Sequence, residues 1–138
     1  MILIDTNVLV ALADRLDDRH AMAVQQLDRV RKRGLLVCWP VLTESFHFLP
    51  RVDQRETLHD LIARFDMRFA DHSQQPSLDD LFAWAVRYAD HEPDFADAYL
   101  VLLSAMNRRR QVWTWDHEFY HVWRRPDGSA VPMAVKAV

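Results

Sequence analysis

The stretch Ile2-Leu3-Ile4-Asp5-Thr6-Asn7 decides the fold. A short apolar run meets a carboxylate after three residues, and the amphipathic segment Val8-Leu9-Val10-Ala11-Leu12-Ala13 follows at once. That pattern predicts a buried strand that hands an Asp to the start of a helix. In an open α/β sheet, ligands bind outside the carboxyl ends of the strands. Asp5 therefore sets a negative charge at the mouth of a cleft.

The same alternation continues outward. Asp17 or Asp18 is expected to cap a second helix running to Arg33, with Ala23, Leu27 and Val30 inward and Gly34 ending it. Leu35 to Cys38 reads as a second strand. Pro40 opens a helix over Val41 to Leu49, and Pro50 stops it. Asp53-Gln54-Arg55-Glu56 resembles a capping box before the stripe Leu58, Leu61, Ile62 and Phe65. Met67 to Ala70 is a short third strand, and Asp71 to Pro76 a polar loop. Ser77 opens a helix with Leu78, Leu81, Phe82, Ala85 and Ala89 on one face. Pro93-Asp94 opens the next, with Phe95, Ala98, Tyr99, Leu102 and Met106 inward. Gln111 to Trp115 reads as a strand, Asp116 to Trp123 as a helix and Val131 to Val135 as a last strand. Short apolar strands alternating with helices imply parallel pairing through right-handed crossovers. The expectation is one domain over residues 1–138, a three-layer α/β/α sandwich around a four- to five-stranded, mainly parallel sheet.

Composition narrows the function. The chain has 138 residues, 50% of them apolar and 27% charged, enough for one sizeable core. With only two glycines, Gly34 and Gly128, it has no Gly-rich phosphate loop. The lone Cys38 forms no internal disulfide and behaves as a small buried hydrophobe. The apolar run at the N-terminus is too short for a signal peptide, and nothing approaches the ~20 apolar residues of a membrane span. A cytoplasmic protein without a membrane segment is expected.

The formal charge is -3, yet basic residues cluster, as at Arg108-Arg109-Arg110. Such clusters around an acidic cleft suit a polyanion held by metal ions. Attraction of Arg to helix C-termini explains them equally well.

Four acidic positions follow a strand or open a helix: Asp5, Glu44, Asp97 and Asp116, with Asp94 three residues before Asp97 on the same face. Parallel strands that are neighbours would bring Asp5 and Asp116 to one edge. Local alternatives remain: Asp5, Asp94 and Asp116 serve equally as helix caps, and Glu44 between Thr43 and Ser45 as a solvent-facing charge. Asp97 lies within an apolar stretch, past any expected cap position, where a charge needs a partner. Clustered carboxylates either raise their pKa values or hold cations. Hard ions such as Mg2+ or Mn2+ prefer oxygen ligands, and one or two of them activate water and stabilise phosphoryl oxygens.

Four segments then carry a resemblance: Ile4-Asp5-Thr6-Asn7-Val8-Leu9, Thr43-Glu44, Asp94-Phe95-Ala96-Asp97-Ala98-Tyr99-Leu100 and Thr114-Trp115-Asp116-His117-Glu118-Phe119. In this order and spacing, across nearly the whole chain, they resemble the PIN domain, in particular the VapC-type toxins of bacterial toxin–antitoxin modules. The resemblance implies a parallel-sheet α/β/α fold and RNA cleavage dependent on Mg2+, with Mn2+ as the alternative. It assigns Asp5, Glu44, Asp97 and Asp116 to the catalytic, metal-holding positions, Asn7 and Thr114 to supporting ones, and Asp94 to an extra acid found in some members. It also implies a small antitoxin partner and a homodimer. A housekeeping PIN nuclease and a non-catalytic RNA- or protein-binding module are the alternatives. A dehalogenase-like phosphatase needs a second Asp two residues after Asp5, where this chain has Asn7.

Other residues carry less. His117 and His121 read as surface histidines rather than a zinc pair, and Ser104 has no partner that would make it a nucleophile. Trp39, Trp84 and Trp113 are expected to be buried. Trp115, beside Asp116, is the best-placed ring for substrate contact, and Arg108, Arg109 and Arg110 are candidates for RNA binding.

Overall fold

In the computed structural model, which describes residues 1–138 except the side chain of His72, the first strand is β1 (Ile2–Ile4). It has β2 (Leu35–Val37) on one side and β4 (Gln111–Trp113) on the other, and β3 (Arg68–Phe69) lies beyond β2. The order is β3-β2-β1-β4 and every pairing is parallel. Ile4 aligns with Trp113, so Asp5 and Thr114 leave the sheet side by side, and Asp5 N donates to Trp113 O at 3.0 Å. The strands are apolar throughout at the centre because both faces are covered. Gly34 turns the chain into β2 at φ +84°, a left-handed conformation that a side chain would strain. Its carbonyl takes the N–H of Ile2 at 2.8 Å.

Helices α1 (Thr6–Ala13) and α2 (His20–Val30) link β1 to β2, and α3 (Trp39–Phe48) and α4 (Val52–Arg64) link β2 to β3. Then α5 (Leu78–Arg87) and α6 (Phe95–Ala105) lead to β4, and α7 (His117–His121) follows it. Helix α1 packs on α2, α3 and α4, while α5 packs on α6. The chain leaves β1 towards β2 and returns to the other side of β1 at β4. The direction of winding therefore reverses between β1 and β4, which makes their carboxyl ends the switch point where such sheets bind ligands. Among the described residues no helix is long and apolar enough to cross a membrane.

Several expectations need correction. The segment 131–135 is no strand. Only Val112 and Met133 form a bridge, because Pro132 has no N–H for a ladder and contributes just its carbonyl to Val112 N, at 2.8 Å. Helix α2 starts at His20 without a side-chain cap; Asp17 bonds the N–H of Arg19 instead. After Val30 the chain tightens into a 3-10 turn to Arg33. Helix α4 starts at Val52, where Arg51 N donates to Gln54 Oε1, so Asp53 lies inside the first turn and pairs with Arg51. On α5 the buried pair is Leu81 and Trp84, while Leu78 and Phe82 are exposed. Trp84 sets this rotation: its ring packs on Tyr88 and Trp123, and its N–H reaches Arg124 O at 2.8 Å. On α6, Ala98, Tyr99 and Leu102 are buried as expected, but Phe95 and Met106 at its ends are exposed. Trp39 is half exposed and stacks on Phe69 at 4.5 Å.

Candidate active site

Asp5 is held by the two turns at the switch point. It caps α1, with Oδ1 accepting the N–H of Thr6 at 2.7 Å. Its Oδ2 accepts the hydroxyl of Thr114 at 2.7 Å. Thr114 Oγ1 also accepts the N–H of Asp116 at 3.1 Å and Asn7 Nδ2 at 3.2 Å. One buried hydroxyl thus spends its single proton on Asp5 and its lone pairs on Asn7 and the Asp116 backbone. Asp5 is only 6% exposed. Burial pushes its pKa up to about 7, assisted by the charges of Asp116 and Asp94 and opposed by the hydrogen bonds from Thr114 and Thr6.

Asp116 caps α7 through the N–H of Glu118, at 3.0 Å. Asp94 caps α6, accepting the N–H of Asp97 at 2.8 Å, and Asp97 reciprocates towards Asp94 N at 3.1 Å. The expectation that Asp97 lies past the cap is corrected: it is the returning half of a capping box. Burial, followed by the charges of Asp94 and Asp5, raises its pKa to about 8. Glu44, half-buried on α3, is also raised, first by burial, with Asp94's charge adding to the rise and Thr6 opposing it. Thr6 Oγ1 itself is buried without a partner in hydrogen-bonding geometry.

Asp5, Glu44, Asp94, Asp97 and Asp116 all line one cavity of about 640 Å³, with Thr6, Asn7, Val10, Leu16, Asp17, Asp18, Arg19 and Phe48. The structure therefore brings together every acidic position singled out in the sequence, and Asn7 and Thr114 beside them. Among the described residues, no three His, Cys, Asp or Glu side chains stand in a ready metal-ligating group. Asp5, Asp94, Asp97 and Asp116 each accept a backbone N–H at the start of a helix. One oxygen of Asp97 and one of Asp116 enter none of these bonds. As a donor set, all-oxygen and short of positive charge, the residues suit a hard divalent cation.

Two other candidates do not line the cavity. Trp115 is buried, not open to a substrate: its N–H donates to Gln26 Oε1 at 2.9 Å, which also takes that of Trp113 at 2.7 Å. Arg108, Arg109 and Arg110 follow the C-terminus of α6, a helix of 11 residues and so about 16 Å long, and precede the opposite end of β4. Arg110 is buried and donates to Leu103 O at 2.9 Å and Gln74 Oε1 at 3.1 Å. His117 and His121 are exposed and stacked at 6.1 Å. Cys38 is buried, its thiol pushed up to about 12 by burial, as a small core hydrophobe should be.

Sequence reasoning missed Thr6, Arg19, Gln26 and Phe48. Thr6 adjoins Asp5 and was readable as its neighbour; nothing local distinguishes Gln26 from other polar residues of α2.

No protein-family model matches the chain, and a search of curated proteins finds no match. Among solved structures, the chain resembles Mycobacterium tuberculosis VapC20, described as a sarcin-ricin loop cleaving toxin. The TM-score is 0.67 at 20% sequence identity, over 87% of this chain and 93% of that one. The likeness establishes the fold, the PIN-like α/β/α arrangement expected from the sequence.

Proposed function

We propose that the protein is a metal-dependent endoribonuclease and the toxin of a type II toxin–antitoxin pair. The observation that carries this reading is the meeting of Asp5, Glu44, Asp94, Asp97 and Asp116 in one cavity at the switch point of the sheet. The fold it shares with VapC20, a toxin that cleaves the sarcin-ricin loop, supports it, as do the motifs around those carboxylates. A small antitoxin, RNA as substrate and a homodimer belong to the same proposal.

Asp5, Asp97 and Asp116, with Glu44 and Asp94, are the residues that would hold one or two Mg2+ or Mn2+ ions. When bound, such ions activate water and neutralise charge on phosphoryl oxygens. The chain supplies the rest. Thr114 and the Thr6 N–H fix Asp5 so that its carboxylate turns little on binding. Asn7 steadies Thr114 in turn. Glu44, whose proton affinity burial raises, stands on α3 beside the same cavity, where its carboxylate can accept a proton.

Brief induction of the chain alone, followed by sequencing of RNA 5′ ends, tests the reading. Growth arrest with new discrete ends, reversed by a small protein encoded beside the gene and absent for Asp5→Asn, is expected. The sarcin-ricin loop is the first place to look for them. RNA cutting without arrest would mean a housekeeping nuclease. No cutting at all would mean a binding module.

A further inference from the structure

Among the described residues that line the acidic cavity, Arg19 is the sole cation. It stands at the start of α2, directly after the loop that follows α1. Its guanidinium carbon lies 5.3 Å from the centre of the Trp115 ring. That ring is a rigid platform, since Trp115 is buried and its N–H is bound to Gln26. Asp17 and Asp18 line the same cavity, yet the ion pairs among the described residues do not include Arg19. Asp17 is engaged with Arg19's backbone N–H instead. The guanidinium is thus pre-placed on an aromatic face at the mouth of a site whose other charges are all negative, with its N–H fork uncommitted. Phe48, 56% exposed, lines the same cavity and offers a ring face of the kind on which unpaired bases stack.

We propose that Arg19, seated on Trp115, grips a backbone phosphate of a single-stranded RNA beside the bond to be cut and so positions the strand over the carboxylates. The proposal rests on the nuclease reading and adds a residue to it. An acidic cavity repels a polyanion everywhere except at bound cations, so one preorganised guanidinium sets which phosphate settles next to them. Arg suits this task better than Lys because its planar fork meets two phosphate oxygens while its face stays on the ring.

The test uses the chain with its carboxylates intact and Ca2+ in place of Mg2+, a hard cation for the same oxygen ligands that holds RNA without cutting it if the nuclease reading holds. A short fluorescent single-stranded oligoribonucleotide of mixed sequence is titrated over a range of salt. Adding Arg19→Ala should weaken binding about tenfold or more, the loss of one charged hydrogen-bonded contact. It should also lower the salt slope by about 0.7, the value for one phosphate of a single strand. Arg19→Lys should restore the slope and only part of the affinity. Arg15→Ala removes an exposed charge outside the cavity and should change neither. In the cutting enzyme, Arg19→Ala should raise KM and leave kcat in place. Unchanged affinity and slope in Arg19→Ala would overturn the proposal, as would a lower melting temperature with both intact, or an equal loss in Arg15→Ala. If the wild-type protein neither cuts nor binds RNA, the nuclease reading itself fails. Cutting by wild type with no effect of Arg19 sinks this inference alone.

Discussion

Thr114 Oγ1 donates to Asp5 Oδ2 at 2.7 Å, joining residues 109 positions apart in sequence. The bond exists because β1 and β4 are parallel neighbours in register, so the residues just beyond their carboxyl ends emerge together. It ties the first carboxylate of the site to the turn that carries the last, Asp116.

Thr114→Val keeps the shape and removes that hydroxyl. Asp5 Oδ2, the Asp116 N–H and Asn7 Nδ2 then lose their shared partner. A loss of about 1–3 kcal/mol in chemical denaturation is expected, the cost of stranding buried polar groups. Thr114→Ser should recover most of it. Equal stability of Thr114→Val and wild type would show the network to be slack.

Stability without metal should fall as pH rises. Asp5 and Asp97 keep their protons up to about 7 and about 8 in the folded chain, against an ordinary carboxylate value near 3.8 when unfolded. Between those limits the folded state binds more protons than the unfolded one, so their contribution is fully present below about pH 4 and is lost through about pH 8. Each tenfold rise in proton affinity is worth about 1.4 kcal/mol. Thermal melts in chelator should give a lower Tm at mildly alkaline than at mildly acidic pH. Asp5→Asn with Asp97→Asn should flatten the trend, and a trend unaffected by that pair would place the titrating groups elsewhere.

Mg2+ or Mn2+ should stabilise the wild-type protein by mass action, about 2.7 kcal/mol at a hundredfold excess over Kd. Asp5→Asn should lose most of this gain, and yet be at least as stable as wild type in chelator, because it relieves repulsion in the cavity. The same metal-induced shift in both proteins would move the binding elsewhere.

The three arginines after α6 should separate by burial. Arg110→Ala should cost about 1–3 kcal/mol, because Leu103 O and Gln74 Oε1 lose a charged donor. Arg108→Ala and Arg109→Ala, both exposed, should stay within about 0.5 kcal/mol of wild type. Equal effects from all three would contradict the assignment of Arg110 as a support for the end of α6.

What could be read from the sequence follows from the range of the interactions. The strand Ile2–Ile4, the cap at Asp5 and the cap at Asp94 depend on neighbours within a turn, so their pattern announced them. The acidic positions were legible because a carboxylate after an apolar strand is conspicuous wherever the sheet later places it. The face of α5 was not, because Trp84 turns inward only to meet Tyr88 and Trp123, the latter far along the chain. Trp115 differs from expectation for the same reason: it is buried, and the partner of its N–H, Gln26, lies 89 residues away. The last strand failed at Pro132, a local signal whose missing N–H outweighs the apolar run around it.

The most direct test is cleavage of total RNA by the purified protein, with 5′ ends sequenced, for wild type and for Asp5→Asn, Asp97→Asn and Asp116→Asn, each with Mg2+ and with chelator. The account predicts discrete new ends for wild type with Mg2+ only, and none for the three variants although they melt as folded proteins. Discrete ends of equal yield from all three variants, or from wild type in chelator, would contradict it.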